Sequence, residues 1–243
     1  LSRLQYIDFA HHNFANSFNK LIAELGRSNI NLQTKPSKSV ATSKGANSEK
    51  LRILFLAANP ITTGRLRLDE EIREIDNRLL VAKYRERFDI KQAWAVRHRD
   101  LSQALQRYEP HIVHFSGHGN TDGAIVIEDD QGNAHPVPGT SLARLFRVFK
   151  DHVRCVVLNA CWSAEQANGI VSEIDVVIGM KQSIGDKAAI NFASGFYQAL
   201  GYGQNIKNAF ELGCIEIDLA LLGEDSTPKI NFKEGINVDE LYL

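Results

Sequence analysis

Short apolar runs separated by amphipathic helical patterns are the feature that most limits how this chain can fold. Residues 51–58, 88–96, 111–115, 153–158 and 175–180 read as strands. Between them, Leu68, Ile72, Ile75 and Leu79 recur at helical spacing, and shorter helical patterns cover 101–107 and 142–149. After the last run, Ala189, Phe192, Ala193, Phe196 and Leu200 share one helical side, and a further helix covers 206–222. Strands that alternate with helices are joined by crossovers, so the expected sheet is mostly parallel and covered on both faces. A hairpin interrupts the alternation, with 124–128 and 134–137 flanking the turn residues Asp129, Asp130, Gln131 and Gly132. In open sheets of this kind functional groups collect beyond the carboxyl ends of the strands. The residues just after each apolar run are therefore the first candidates for chemistry.

The amino-terminal side reads differently. In residues 1–27, Phe14, Phe18, Leu21, Ile22 and Leu25 give an amphipathic helix stopped at Gly26. Residues 28–50, rich in Ser, Asn, Thr, Lys and Ala, bury little and read as a flexible linker. The domain proper is expected over 51–243. The chain starts at Leu1 in what reads as the middle of an element, which suggests a truncated or processed fragment.

Charge narrows the partners. Lys and Arg number 28 against 29 Asp and Glu, with no block of one sign, so neither a nucleic-acid nor a membrane footprint is expected, and the partner is protein or small molecule. Cys155, Cys161 and Cys214 are too few and too scattered for a disulfide framework or a zinc set. No signal peptide or long apolar span is visible, which points to a cytoplasmic chain with free thiols.

Two run ends carry reactive side chains. One run leads into Ser116, Gly117, His118, Gly119 and Asn120, the other into Ala160, Cys161, Trp162 and Ser163. A thiolate is the nucleophile in cysteine chemistry, and a nearby imidazole or helix N-terminus makes it accessible at neutral pH. A helix is expected to start just after Ser163. His118 can protonate a leaving amine, and its flanking glycines allow a substrate carbonyl close to the backbone. The Gly119 and Cys161 amides are the candidate oxyanion hole.

HFSGHG (114–119) and LNACWS (158–163), together with LRILFLAANP, RLRLDEEI, AVRHRDL and IGMKQSIGDKAAINFASGFYQAL in that order, resemble the CHAT-type branch of the caspase-like peptidases over roughly 50–222. Relatives of that branch include caspases, metacaspases and separase. The resemblance implies an α/β, caspase-like three-layer sandwich around a central, mostly parallel sheet of about six strands. It implies Cys161 as nucleophile and His118 as catalytic histidine in a cysteine endopeptidase acting on protein or peptide substrates, with no cofactor for catalysis. The caspase tag around the nucleophile is not matched, because Asn159, Ala160, Cys161, Trp162 and Ser163 stand there.

Specificity stays open at this level. Asp186 either places a carboxylate in the specificity pocket, selecting Lys or Arg before the scissile bond, or caps a helix. Arg65 and Arg67 are either pocket arginines suited to an acidic substrate or solvated helix-start residues. Asn159 is neutral where metacaspases carry an acid. His114 reads as a satisfied core histidine, and Cys155 and Cys214 as packing residues. Only about a dozen residues separate Cys161 from the next run, too few for a long cleavable linker, so activation by an allosteric event is expected. Residues 1–27 resemble the last segment of a TIR domain. Taken with the CHAT resemblance, this implies a signal-activated effector of a prokaryotic immune or cell-death pathway, responding to an activating nucleotide or sensor protein, with a homo-oligomer as one form. The competing reading is a catalytically silent caspase-like scaffold.

Overall fold

The computed structural model describes residues 50–243. The expectations for 1–27 and for the linker before Lys50 lie outside the described residues.

The elements run β1 (Leu51–Ala57), α1 (Leu68–Leu80), β2 (Phe88–Trp94), α2 (His98–Tyr108), β3 (Ile112–Ser116), β4 (His118–Gly119), β5 (Ile125–Glu128), β6 (Ala134–Val137), α3 (Gly139–Phe149), β7 (Cys155–Asn159), α4 (Ala164–Ile170), β8 (Val176–Met180), α5 (Asp186–Gly201), α6 (Ile206–Leu219) and β9 (Pro228–Phe232). The six-stranded sheet has the order β2-β1-β3-β7-β8-β9. All neighbours are parallel except β9, which runs antiparallel to β8. The hairpin β5–β6 gains the two-residue β4 as a third strand and forms a small separate sheet.

Side-chain alternation divides the strand residues between two apolar layers. Ile53, Phe55, Val157 and Ile178 pack under α1, α5 and α6, while Leu54, Leu56, Val113, Phe115, Val156 and Leu158 pack under α2, α3, α4 and the hairpin. Phe55, Phe115, Phe192, Phe196 and Tyr197 are fully buried, and each such side chain stabilises the fold by about 1.5–3 kcal/mol. Helix α5 is buried on nearly every side because it lies against the sheet, α1 and α6 at once. This is the three-layer α/β sandwich expected from the alternation.

The register places the site. Ser116 pairs with Asn159 at the last rung of β3 and β7, so His118 and Cys161 each follow two residues beyond adjacent strand ends. The expected helix over 206–222 ends at Leu219, and β9 had no counterpart among the expected strands. Among the described residues, no helix is long and apolar enough to cross a membrane.

Candidate active site

Cys161 and His118 line one pocket, together with Leu66, Leu68, Glu71, Ser116, Gly117, Asn159, Ile184, Asp186 and Ala189. Both reactive side chains are half-buried. The Cys161 sulfur lies 3.6 Å from Ser183 Oγ and 3.8 Å from the Ile184 carbonyl oxygen. His118 Nε2 lies 2.6 Å from the Gly64 carbonyl oxygen. A carbonyl only accepts, so Nε2 carries the proton and the neutral ring presents Nδ1 as its basic nitrogen.

Gly119 is pressed against the Cys161 backbone. A Cβ built there would lie 1.9 Å from the Cys161 carbonyl oxygen, so only glycine fits. The Asn120 N–H donates to the Ala124 carbonyl at 3.0 Å, and the alternation of an antiparallel ladder then turns the Gly119 N–H away from β5. Trp162 follows Cys161 in the left-handed region, at φ 60°, an uncommon conformation for a bulky residue. It is held where the Trp162 N–H donates to the Gln182 carbonyl. Buried Ser163 donates to the Leu158 carbonyl at 2.8 Å and accepts from the Met180 N–H at 2.9 Å, tying the cysteine loop to β7 and β8. Helix α4 starts at Ala164, as expected, but is only seven residues long.

The specificity candidates fall differently. Arg65 is exposed and lines a neighbouring cavity with Asn59, Asp69, Trp94 and Glu128. It is not among the residues that line the pocket of Cys161. Asp186 borders the pocket, yet its carboxylate is engaged by Arg67, accepting from the backbone N–H at 3.3 Å and from Nε at 2.7 Å. The hydrogen bond to Asp186 is the main reason the Arg67 guanidinium is raised above its ordinary range. The N-cap of α5 is Gly185, so Asp186 does not cap its own helix. Asn159 lies buried on the pocket wall.

Beneath the pocket is a polar cluster in an apolar layer. Glu71 is 3% exposed. Its Oε1 meets His114 Nε2 at 2.8 Å and Asn159 Nδ2 at 2.6 Å, and its Oε2 accepts from the Ser116 hydroxyl. His114 Nδ1 in turn meets the Tyr197 hydroxyl at 3.1 Å. Burial pushes the Tyr197 phenol well up, so the hydroxyl keeps its proton. His114 is thus a satisfied core histidine. The sequence reading passed over Glu71, although Leu68, Glu71, Ile72 and Ile75 lie on one helical face, and a carboxylate inside an apolar stripe was the available signal. Gly64 and Ser163 gave no such signal, because Gly64 acts through its carbonyl and the Ser163 hydroxyl bonds only to backbone groups.

A family model described as the CHAT domain matches residues 25–212. A protein of Gillisia limnaea named a probable protease is 25% identical over 159 residues, covering 64% of this chain and 28% of its own. A Roc-COR-CHAT protease from an unknown prokaryotic organism is 25% identical over 164 residues, covering 64% of this chain and 15% of its own. The chain therefore spans less than a third of the length of these curated relatives. Among solved structures, the Arg-specific cysteine proteinase gingipain R superposes with a TM-score of 0.56 at 10% identity, over 79% of this chain and 47% of that one. Caspase-1 from Spodoptera frugiperda gives 0.51 at 10% identity, over 82% of this chain and 93% of that one. At such identity these likenesses establish the fold, a caspase-like sandwich.

Proposed function

The chain belongs to the CHAT-domain family, and on that premise we propose that it is a cysteine endopeptidase acting through Cys161 and His118. The observation that carries this reading is the convergence of the thiol and the imidazole on one pocket at adjacent strand ends, with the Gly119 backbone held against that of Cys161.

In this mechanism Cys161 Sγ, as thiolate, attacks the scissile carbonyl carbon. The developing oxyanion accepts hydrogen bonds from the Gly119 and Cys161 N–H groups. The imidazolium of His118, whose Nε2–H stays on the Gly64 carbonyl, gives the proton on Nδ1 to the leaving amine as the C–N bond breaks. Water, deprotonated by the same nitrogen, then attacks the acyl-thioester and releases the carboxylate product and the thiolate. No metal or organic cofactor enters this chemistry. The substrate is a protein or peptide, cut after a basic residue.

The enzyme is read further as a signal-activated effector of a prokaryotic immune or cell-death pathway, switched by a nucleotide or a sensor protein. The competing scaffold reading loses support from the built surroundings of both reactive groups. Cleavage of fluorogenic peptides and of a denatured protein by the wild-type chain tests the proposal, beside Cys161→Ala and His118→Ala. Each variant is expected to lose ~10³-fold or more in kcat; a variant that cleaves as fast as wild type overturns it.

A further inference from the structure

The geometry points to Asn59 as a positioning residue that holds the Gly64 carbonyl on His118 and so keeps the imidazole aimed at the leaving amine. This rests on the peptidase reading above and names what fixes its proton donor.

The acceptor of His118 Nε2–H sits on the connection between β1 and α1, not on a strand or helix. A Cβ built on Gly64 would meet no atom within 4 Å beyond its chain neighbours, so packing does not hold this residue in place. Its carbonyl is placed by the chain on either side, and that chain is tied at two points. Before Gly64, the Ile61 N–H donates to the Gly132 carbonyl at 2.9 Å and the Thr62 hydroxyl accepts from the Ala134 N–H at 3.0 Å, seating the loop on the hairpin. After it, Asn59 Nδ2 donates to the Leu66 carbonyl at 3.3 Å while Asn59 Oδ1 accepts from the Leu66 N–H at 3.4 Å. One side-chain amide thus grips both backbone groups of one residue. An aspartate lacks the donor for that grip, and a glutamine adds a methylene.

Asn59 is itself fixed to the frame that carries His118. Its own N–H donates to Glu128 Oε1 at 3.1 Å, and the preceding Ala58 N–H donates at 3.1 Å to the Ser116 carbonyl, two residues before His118. The imidazole and the clasp on its acceptor are thereby referred to the same strand end. Arg67 is held separately by Asp186, so loss of the Asn59 amide loosens residues 64–66 while the start of α1 stays anchored. A His118 whose Nε2–H has no fixed acceptor turns about its side-chain bonds and carries Nδ1 off the line to the leaving nitrogen. A misplacement of about 1 Å costs on the order of 100-fold in rate.

Two measurements test this. In the first, kcat/KM, which reports acylation, is compared for a coumarin amide and a nitrophenyl ester of the same peptide ending in Arg. Asn59→Ala is expected to fall ~10–100-fold on the amide, whose nitrogen leaves only with a proton from His118, and ~3-fold or less on the ester, whose phenolate leaves without one. Asn59→Asp keeps the acceptor for the Leu66 N–H and loses the donor, so it falls between wild type and Asn59→Ala on the amide. An equal loss on both substrates, as a merely structural role would give, or an undiminished amide rate, overturns the proposal. The second measurement needs no turnover. Crystal structures of wild type and Asn59→Ala are expected to show the Gly64 carbonyl on His118 Nε2 in the first and beyond ~3.5 Å from it in the second. A contact that survives in the variant overturns the clasp. A wild type that cleaves neither substrate, beside a carbonyl displaced in the variant, sinks the peptidase reading and leaves the clasp standing. Should Asn59→Ala not fold, Asn59→Asp carries both comparisons.

Discussion

The three cysteines differ in what surrounds the sulfur. Burial pushes the Cys155 thiol up to about 12, and burial with the neighbouring Glu211 pushes Cys214 to about 12 as well. At pH 8 each is then thiolate in only ~1 molecule in 10⁴. Cys161 is half-buried at the pocket. Brief iodoacetamide treatment of native protein at pH 8 is therefore expected to add a single carbamidomethyl group, located by peptide mass spectrometry on Cys161; equal labelling of Cys214 would contradict this. The backbone of the same cysteine sets the demand on Gly119. An alanine methyl there cannot coexist with the Cys161 carbonyl at 1.9 Å, so one loop must move. Gly119→Ala is expected to keep a cooperative unfolding transition and to lose at least ~100-fold in kcat, the scale of one lost oxyanion donor.

At the scale of elements, Ser163 ties the cysteine loop to the strands on either side, and its hydroxyl is satisfied in both directions. Ser163→Ala leaves the Met180 N–H without its acceptor inside the core, at an expected cost of about 1–3 kcal/mol, read from the midpoint of denaturant unfolding; an unchanged midpoint would mean that the loop is held elsewhere. Such contacts mark the boundary of what the sequence reveals. Alternating apolar runs and helical stripes made β1, β3, β7, β8 and the helices legible, because burial on both faces of a parallel sheet leaves a strong pattern. The two loops bearing His118 and Cys161 were legible for the same reason, each following an apolar run. Strand β9 was not, because it opens on Pro228 and alternates only weakly, with four of its five residues half-buried. Strand β4 is two residues long and exists only through β5. The pairing of Arg67 with Asp186 joins residues 119 apart in the chain, so spacing alone left Asp186 open between pocket and cap.

For the whole molecule, the connection from Cys161 to β8 decides how activity can be switched. That stretch is filled by α4, whose Ala164, Gln166, Ala167 and Ile170 are buried. Gln166 Nε2 donates to the Val137 carbonyl at 2.9 Å, binding α4 to the hairpin sheet. Ile174 follows, fully buried, before β8 begins at Val176. A segment packed in this way is part of the apolar layer and offers a processing enzyme no extended exposed loop between Cys161 and β8, so a cut there is not expected to be the switch. With a specific protease site inserted after exposed Ser172, cutting is expected to lower the thermal midpoint, because the cut frees one end of a buried element whose tertiary contacts supply its stability. Turnover of the cut protein is expected to stay at or below that of the uncut protein, measured on the same peptide. An uncut chain that is silent and a cut chain that turns over would show instead that the fold is built to be opened at α4.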